Sequence, residues 1–433
     1  MAIGSLIKST GSAAGLRLAG ALCGFLAQLL LARSLSPQEL GIFFLVVAIA
    51  AMLELIISSG YDTLGLTKLT SFRALGYEGL VHRYCASVFR EMAWICLLVS
   101  LVLTALLMLV PLEATLFTAL YWALIVGPAV AFMNVFRTQA MAARQLLLAY
   151  GPEHYCRPAL FLTCLTVFLH WQGTLSFAGV IGLFTATVYI CCLAQFYFLY
   201  KTGTIGRQSL FPSTAPRPVW RKQALTLLVT NILTFSTAEL VILIGGLIFP
   251  ANDIALLGIC LRMAVLVGFI SQVGYQIVLP DLAALQTFEQ RSAKRYLLLQ
   301  ANVLGLAIPL CSILGIIIFG NQILGLFGEA YRSGYILLII FTVGQIIRTF
   351  FGLNAHLLNF SGLQIETAKA SLLALITLVI AVPALTVMYD LVGLSFAVLL
   401  SDLVWGLCLC VSARLKLDMS GDLYWLFRRM KDI

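Results

Sequence analysis

The chain has 433 residues, of which 61% are hydrophobic and only 10% charged. A soluble domain is about half apolar and a quarter charged, so this composition excludes the water-soluble classes. The 27 basic residues outnumber the 18 acidic ones by nine. In so apolar a chain that excess reports which loops face the cytoplasm, and no nucleic-acid partner is expected.

A bilayer core requires roughly 20 consecutive apolar residues per helix, whereas a membrane β-barrel shows short alternating segments. Long runs dominate, and they predict twelve helical spans at about 12–33, 39–59, 91–111, 114–136, 157–171, 175–200, 223–249, 254–279, 297–319, 334–357, 367–389 and 391–413. The first run is too long for the core of a cleavable signal and is expected to remain as a span. The fifth is short, and only Asp390 and its neighbours separate the last two.

Basic residues orient the spans. With a cytoplasmic N-terminus, 22 of the 27 lysines and arginines fall on inside segments, Arg33 and Arg332 fall outside, and Arg17, Arg262 and Arg348 lie within the membrane. Both termini are therefore expected in the cytoplasm. The outside connections are short, which disfavours a membrane glycosyltransferase, ligase or polymerase with its chemistry on a large external loop. No P-loop, metal-ligand cluster or Ser/His/Asp pattern occurs on an extramembrane segment, so neither enzymatic activity nor a cofactor is expected. The eleven cysteines lie mostly in apolar runs without metal or redox spacing and read as small hydrophobes.

Shifting the sequence by 214 residues brings Ser36–Ile42 onto Pro250–Leu256 and Gly60-Tyr61 onto Gly274-Tyr275. The shift is half the chain length, and the Pro/Gly/Ser/Thr-rich segment 201–222 separates the two copies. The expected fold is an all-α polytopic membrane protein of about twelve helices, in two pseudo-symmetric six-helix lobes around a central cavity. The lobes are residues 1–206 and 223–414, joined by a cytoplasmic linker, 207–222. A basic amphipathic tail follows at 415–433, expected to lie at the membrane interface.

Charge inside a membrane costs between about 2.5 and more than 10 kcal/mol and marks a wet cavity or an ion pair. On the first helix, Arg17, Ala21, Gly24 and Gln28 form a small and polar stripe. On the tenth, Gln345, Arg348, Gly352, His356 and Asn359 share one face over four turns. Arg262 lies a third of the way along the eighth helix. Arg17, Gln28, Arg262, Gln345 and Arg348 are thus the candidate substrate-binding residues. Glu54, Glu239 and Asp402 are candidates either for pairing with these arginines or for coupling to a proton or sodium ion. Thr230, Asn231, Thr234 and Thr237 fall on one side of the seventh helix and are expected to serve packing first.

The stretch RLAGALCGFLAQLLLARSLSPQELGIFFLVVAIAAMLELIISSGYDTLGLTKL (17–69) resembles the opening of bacterial oligosaccharide flippases of the polysaccharide transporter family. There a first helix ending in LLLAR leads to a second ending in GYDT. The segment LFGEAYRSGYILLIIFTVGQIIRTFFGLNAHLLNFSGLQ (326–364) is similar to the same family's C-terminal half. The resemblance implies alternating access in the bacterial inner membrane. Its implied substrate is a polyprenyl-diphosphate-linked oligosaccharide, with membrane lipids, a polysaccharide polymerase and glycosyltransferases as partners. Cavity arginines on the first and eighth helices matter in the related lipid II flippase, and Arg17 and Arg262 occupy those helices here. An ion-coupled multidrug or metabolite exporter of the same architecture is the alternative.

Overall fold

The computed structural model describes residues 2–206, 218–233, 237–284, 291–417 and 419–421. Most of the linker and the tail from 422 onward lie outside them. In chain order the helices are α1 (Ala2–Ser34), α2 (Pro37–Ser58), α3 (Tyr61–Ala74), α4 (Glu78–Leu109), α5 (Ala114–Ala142), α6 (Leu146–Gly151), α7 (Arg157–Gln172) and α8 (Phe177–Lys201). They continue as α9 (Pro218–Leu233), α10 (Thr237–Ile248), α11 (Ala251–Ala284), α12 (Arg291–Phe327), α13 (Tyr335–Phe360) and α14 (Gln364–Leu417). A π-helical turn, Pro152–Cys156, joins α6 to α7, so helical structure runs without a gap from Leu146 to Gln172. No strand occurs among the described residues.

Nine of the described helices are long and apolar enough to cross a membrane, ten if the bent pair α9–α10 is one span. Two local features bring this to the expected twelve. The 54 residues of α14 would extend about 80 Å if straight, more than two bilayer cores, and the helix breaks at Asp390 (φ 49, ψ −131). At that turn a Cβ on Gly393 would collide with the Leu385 carbonyl. The continuous run through the π turn supplies the remaining span, which α7 alone is too short to make. The chain is a multi-pass, all-helical membrane protein.

Two elements differ from the sequence-based expectation. Residues 60–90 were expected as a cytoplasmic loop, but they form α3 and the first turns of α4. Buried Tyr61, Leu64, Gly65 and Leu69 follow helical spacing on a segment whose other faces carry Thr67, Lys68, Thr70 and Arg73. Such a helix is amphipathic, so a search for long apolar runs passes over it. The seventh span breaks into α9 and α10, bent by 72°. That break separates Thr230 and Asn231 from Thr237, while Thr234 lies outside the described residues.

The 214-residue repeat reaches well beyond the two segments that revealed it. The same shift carries the end of α1 at Ser34 onto the end of α10 at Ile248. It carries the start of α2 at Pro37 onto the start of α11 at Ala251, and Ser176, which caps α8, onto the kink at Asp390. The copies part at Ser59-Gly60. There positive φ values of 48° and 79° end α2 and start α3, whereas α11 continues unbroken through Gly274-Tyr275.

By backbone proximity the chain forms two compact units: Met1–Phe235 with Ile242–Ala255, and Ser236–Val241 with Leu256–Ile433. Helix α9 follows the linker in sequence yet packs within the first unit. Trp220 is 4% exposed and packs edge-on against Tyr84 and at a tilt against Phe72. Arg221 makes a forked ion pair with Glu91 of α4, at 2.6 and 2.8 Å. The Ala224 carbonyl lies so close to Gly60 that a Cβ there would overlap it.

Candidate functional site

In the second unit the intramembrane charges fall into two groups. Arg348 of α13 donates through Nη1 to Asp402 Oδ1 of α14 at 2.8 Å and to the Thr237 hydroxyl of α10 at 2.9 Å. Its Cζ lies 4.9 Å from the centre of the Trp405 ring, within cation–π range. The pair is asymmetric: the Asp402 side chain is 5% exposed, the Arg348 side chain 34%. Arg262 of α11 sits 3.8 Å from Glu239 of α10, at 23% and 20% exposure. Glu239 and Asp402 therefore serve first as counter-charges to Arg262 and Arg348.

The expected polar face of α13 divides among several neighbours. Gln345 turns its amide onto Gly268 of α11, where a larger residue would collide with it. A Cβ on Gly352 would have nothing within 4 Å, so that face is open. His356 is half-buried. Asn359 leaves the stripe: its side-chain oxygen accepts from Thr367, fastening the turn into α14.

In the first unit, Arg17 lies over the ring of Tyr150, 4.2 Å from its centre. One turn on, Gly20 brings α1 against the backbone of His154, leaving no room for a Cβ. Gln28 is half-buried further along α1. Glu54 pairs with none of the three intramembrane arginines. It accepts a hydrogen bond from the Asn134 amide of α5, whose oxygen accepts in turn from Arg137. Arg137 also pairs with Glu153 of the π turn at 2.7 Å.

Sequence reasoning missed Glu91, Asn134 and Glu153. Arg137 and Arg221 were counted only as orienting charges. Glu91 and Glu153 border apolar runs, and an acid at such an edge, with a basic residue one helix away, was the available signal. Two further buried amides also escaped notice. Asn302 of α12 donates to the Gly421 carbonyl, and Asn354 of α13 accepts from the Gly421 N–H at 2.6 Å and the Ser420 hydroxyl at 3.1 Å. Met419 packs among Leu298, Ala301, Leu353 and Leu357. The segment just after α14 is thereby clamped to α12 and α13.

Among the described residues, no group of three or more His, Cys, Asp or Glu side chains could hold a metal ion, and all eleven cysteines are free thiols.

No family model and no curated protein matches the chain by sequence. Solved structures do. The chain is similar to the lipid II flippase MurJ in an inward closed conformation, with a TM-score of 0.73 and 16% identity over 96% of this chain and 91% of that one. It is similar to an inward-facing multidrug resistance MATE transporter of the MOP superfamily, with a TM-score of 0.69 and 14% identity over 94% and 98%. A third is a MOP superfamily transporter from Pyrococcus furiosus noted for the reverse polarity of its binding pocket, with a TM-score of 0.54 and 13% identity over 95% and 96%. At such identities the likeness is one of architecture: the chain has the fold that MurJ and the MATE transporters share.

Proposed function

We propose that the chain is a flippase that moves a polyprenyl-diphosphate-linked oligosaccharide across the bacterial inner membrane by alternating access, for surface polysaccharide biosynthesis. The observation that carries this is the asymmetry of the Arg348–Asp402 pair. The acid is sealed and the guanidinium reaches out, so what this intramembrane site offers is positive. A lipid-facing guanidinium would be too costly, so its exposed part belongs to an aqueous surface. A diphosphate suits the remaining guanidinium donors, which match its oxygens two at a time. Arg262, also part-exposed beside its acid, and Arg17 on its tyrosine are the further contacts.

In this reading both termini are cytoplasmic, no cofactor takes part, and glycosyltransferases and a polymerase supply and consume the cargo. The test is surface glycan export in cells whose own copy is deleted. Restoring wild type should restore export. Arg17→Glu, Arg262→Glu and Arg348→Glu should each lower it at least tenfold, with lipid-linked oligosaccharide accumulating. Full export by all three variants overturns the proposal. The second reading, a multidrug or metabolite exporter, is favoured by the nearly complete overlap with the MATE structure. It predicts altered drug tolerance in the deletion strain with normal surface glycan.

A further inference from the structure

Glu54 is a carboxylate in the apolar helix α2, and the hydrogen bond it accepts comes from a neutral amide, Asn134 Nδ2. The guanidinium nearest to it is already engaged. Arg137 places Nη1 on Glu153 and Nη2 on the Asn134 oxygen. A guanidinium can only donate, so it fixes the orientation of the Asn134 amide and leaves the –NH2 facing Glu54. The charged groups that face Glu54 are Arg137 on α5, Glu153 on the π turn and Asp62 on α3. Arg157 also acts on Glu153, so three carboxylates share two guanidiniums. With Glu54 ionised the cluster holds an uncompensated charge in a low-dielectric site, which is strongly unfavourable. With Glu54 protonated, Arg137 and Arg157 balance Glu153 and Asp62, and Arg137 keeps its ion pair with Glu153.

We infer that Glu54 is a proton-binding site, occupied at neutral pH and emptied once per transport cycle. The second half of this statement rests on the transporter reading above. A sodium ion fits less well, because it needs several oxygen ligands and the nearest amide presents its nitrogen. The proton comes from water on the open side and binds Oε2, since Oε1 accepts from Asn134. When it returns to water, the carboxylate left behind competes with Glu153 for Arg137. Glu153 belongs to the same π turn as His154, whose backbone meets Gly20, and that turn directly continues α6, whose Tyr150 lies beneath Arg17. Loss of the proton therefore pulls on the turn that positions Arg17. π-helical turns of this kind often sit where a helix has to yield.

The experiment is infrared spectroscopy on the purified full chain in lipid nanodiscs, titrated with acid and base and without substrate. Wild type should show the carbonyl stretch of a protonated carboxylic acid at neutral pH, disappearing in alkali. Glu54→Gln should lack the band and melt at the wild-type temperature, because it copies the protonated state. Glu153→Gln should also lose the band although Glu54 is present, because Arg137 is then free to pair with it. A band unchanged in Glu54→Gln overturns the inference. So does thermal stabilisation of wild type, but not of Glu54→Gln, when sodium replaces choline at constant ionic strength. The band is read without cargo, so its absence from wild type at neutral pH overturns the proton site whatever is transported. Normal glycan export by the arginine variants would overturn the flippase reading and leave the band in place.

Discussion

Gly344 lies directly against Asp402: a Cβ at that position would stand 3.0 Å from Oδ2. The missing side chain lets the carboxylate settle against α13, from which Arg348 reaches it four residues later. The pair is therefore built from both sides, by a gap on one turn and a cation on the next.

Removing one member of a buried ion pair strands the other and costs about 3–5 kcal/mol. Because part of Arg348 is wet, the lower figure applies. Asp402→Ala should destabilise the protein by about 3 kcal/mol, and Arg348→Met/Asp402→Ala should recover more than half of that. Thermal unfolding in detergent measures both, and simple additivity of the two single losses would refute the pairing.

The twelve spans and the repeat were legible because a bilayer imposes a length and an apolar content on every spanning helix. Ser36 and Glu39 form a complete capping box at the start of α2, a local signal that a search for apolar runs does not use. Less could be read of the sites. Arg348, Arg262 and Glu54 stood out because charge inside apolar runs is costly, but their partners come from other helices, and no local spacing encodes them. Asn302 and Asn354 escaped for the same reason: a single amide in an apolar helix is unremarkable until the chain it grips is located. The end of the second span at Ser59-Gly60 was read where it lies, but the amphipathic α3 that resumes at Tyr61 was not, because it has no long apolar run.

Two glycines on one helix separate backbone contact from mere smallness. At Gly20 an added methyl would overlap the His154 carbonyl, which the π turn holds in place, whereas at Gly24 the nearest atom, on Pro158, is 4.0 Å away. Gly20→Ala should cost at least about 2 kcal/mol, in the range of overpacked sites, and Gly24→Ala should be neutral or slightly stabilising. Melting temperatures of the two variants decide this, and equal values would refute the close approach.

Trp220 anchors the start of α9, with its ring edge-on to Tyr84 at 5.2 Å between centroids. Trp220→Ala should lose about 3–5 kcal/mol of packing. Its local signature is early proteolysis near residue 220. Arg221→Ala/Glu91→Ala, which removes both charges and strands neither, should do far less, about 1 kcal/mol or below, because the Arg221 side chain is 60% exposed. Comparable protease sensitivity in the two variants would show that the ion pair, and not the ring, holds α9.

The clamp on Ser420 and Gly421 gives a prediction whose sign depends on hydrogen-bond polarity. Asn302 must donate, since it meets a carbonyl, and Asn354 must accept, since it meets an N–H and a hydroxyl. Replacing each with aspartate keeps size, removes the donors and adds a charge. Asn302→Asp sets an acceptor against the Gly421 carbonyl and should release the segment, exposing the bond after Lys416 to trypsin. Asn354→Asp retains both acceptor contacts and should leave that bond protected, although burying its charge lowers overall stability. Global destabilisation alone would raise cleavage everywhere in proportion to the loss of stability. A clamp predicts the reverse ranking at this one bond, with Asn302→Asp cut faster even when Asn354→Asp is the less stable variant.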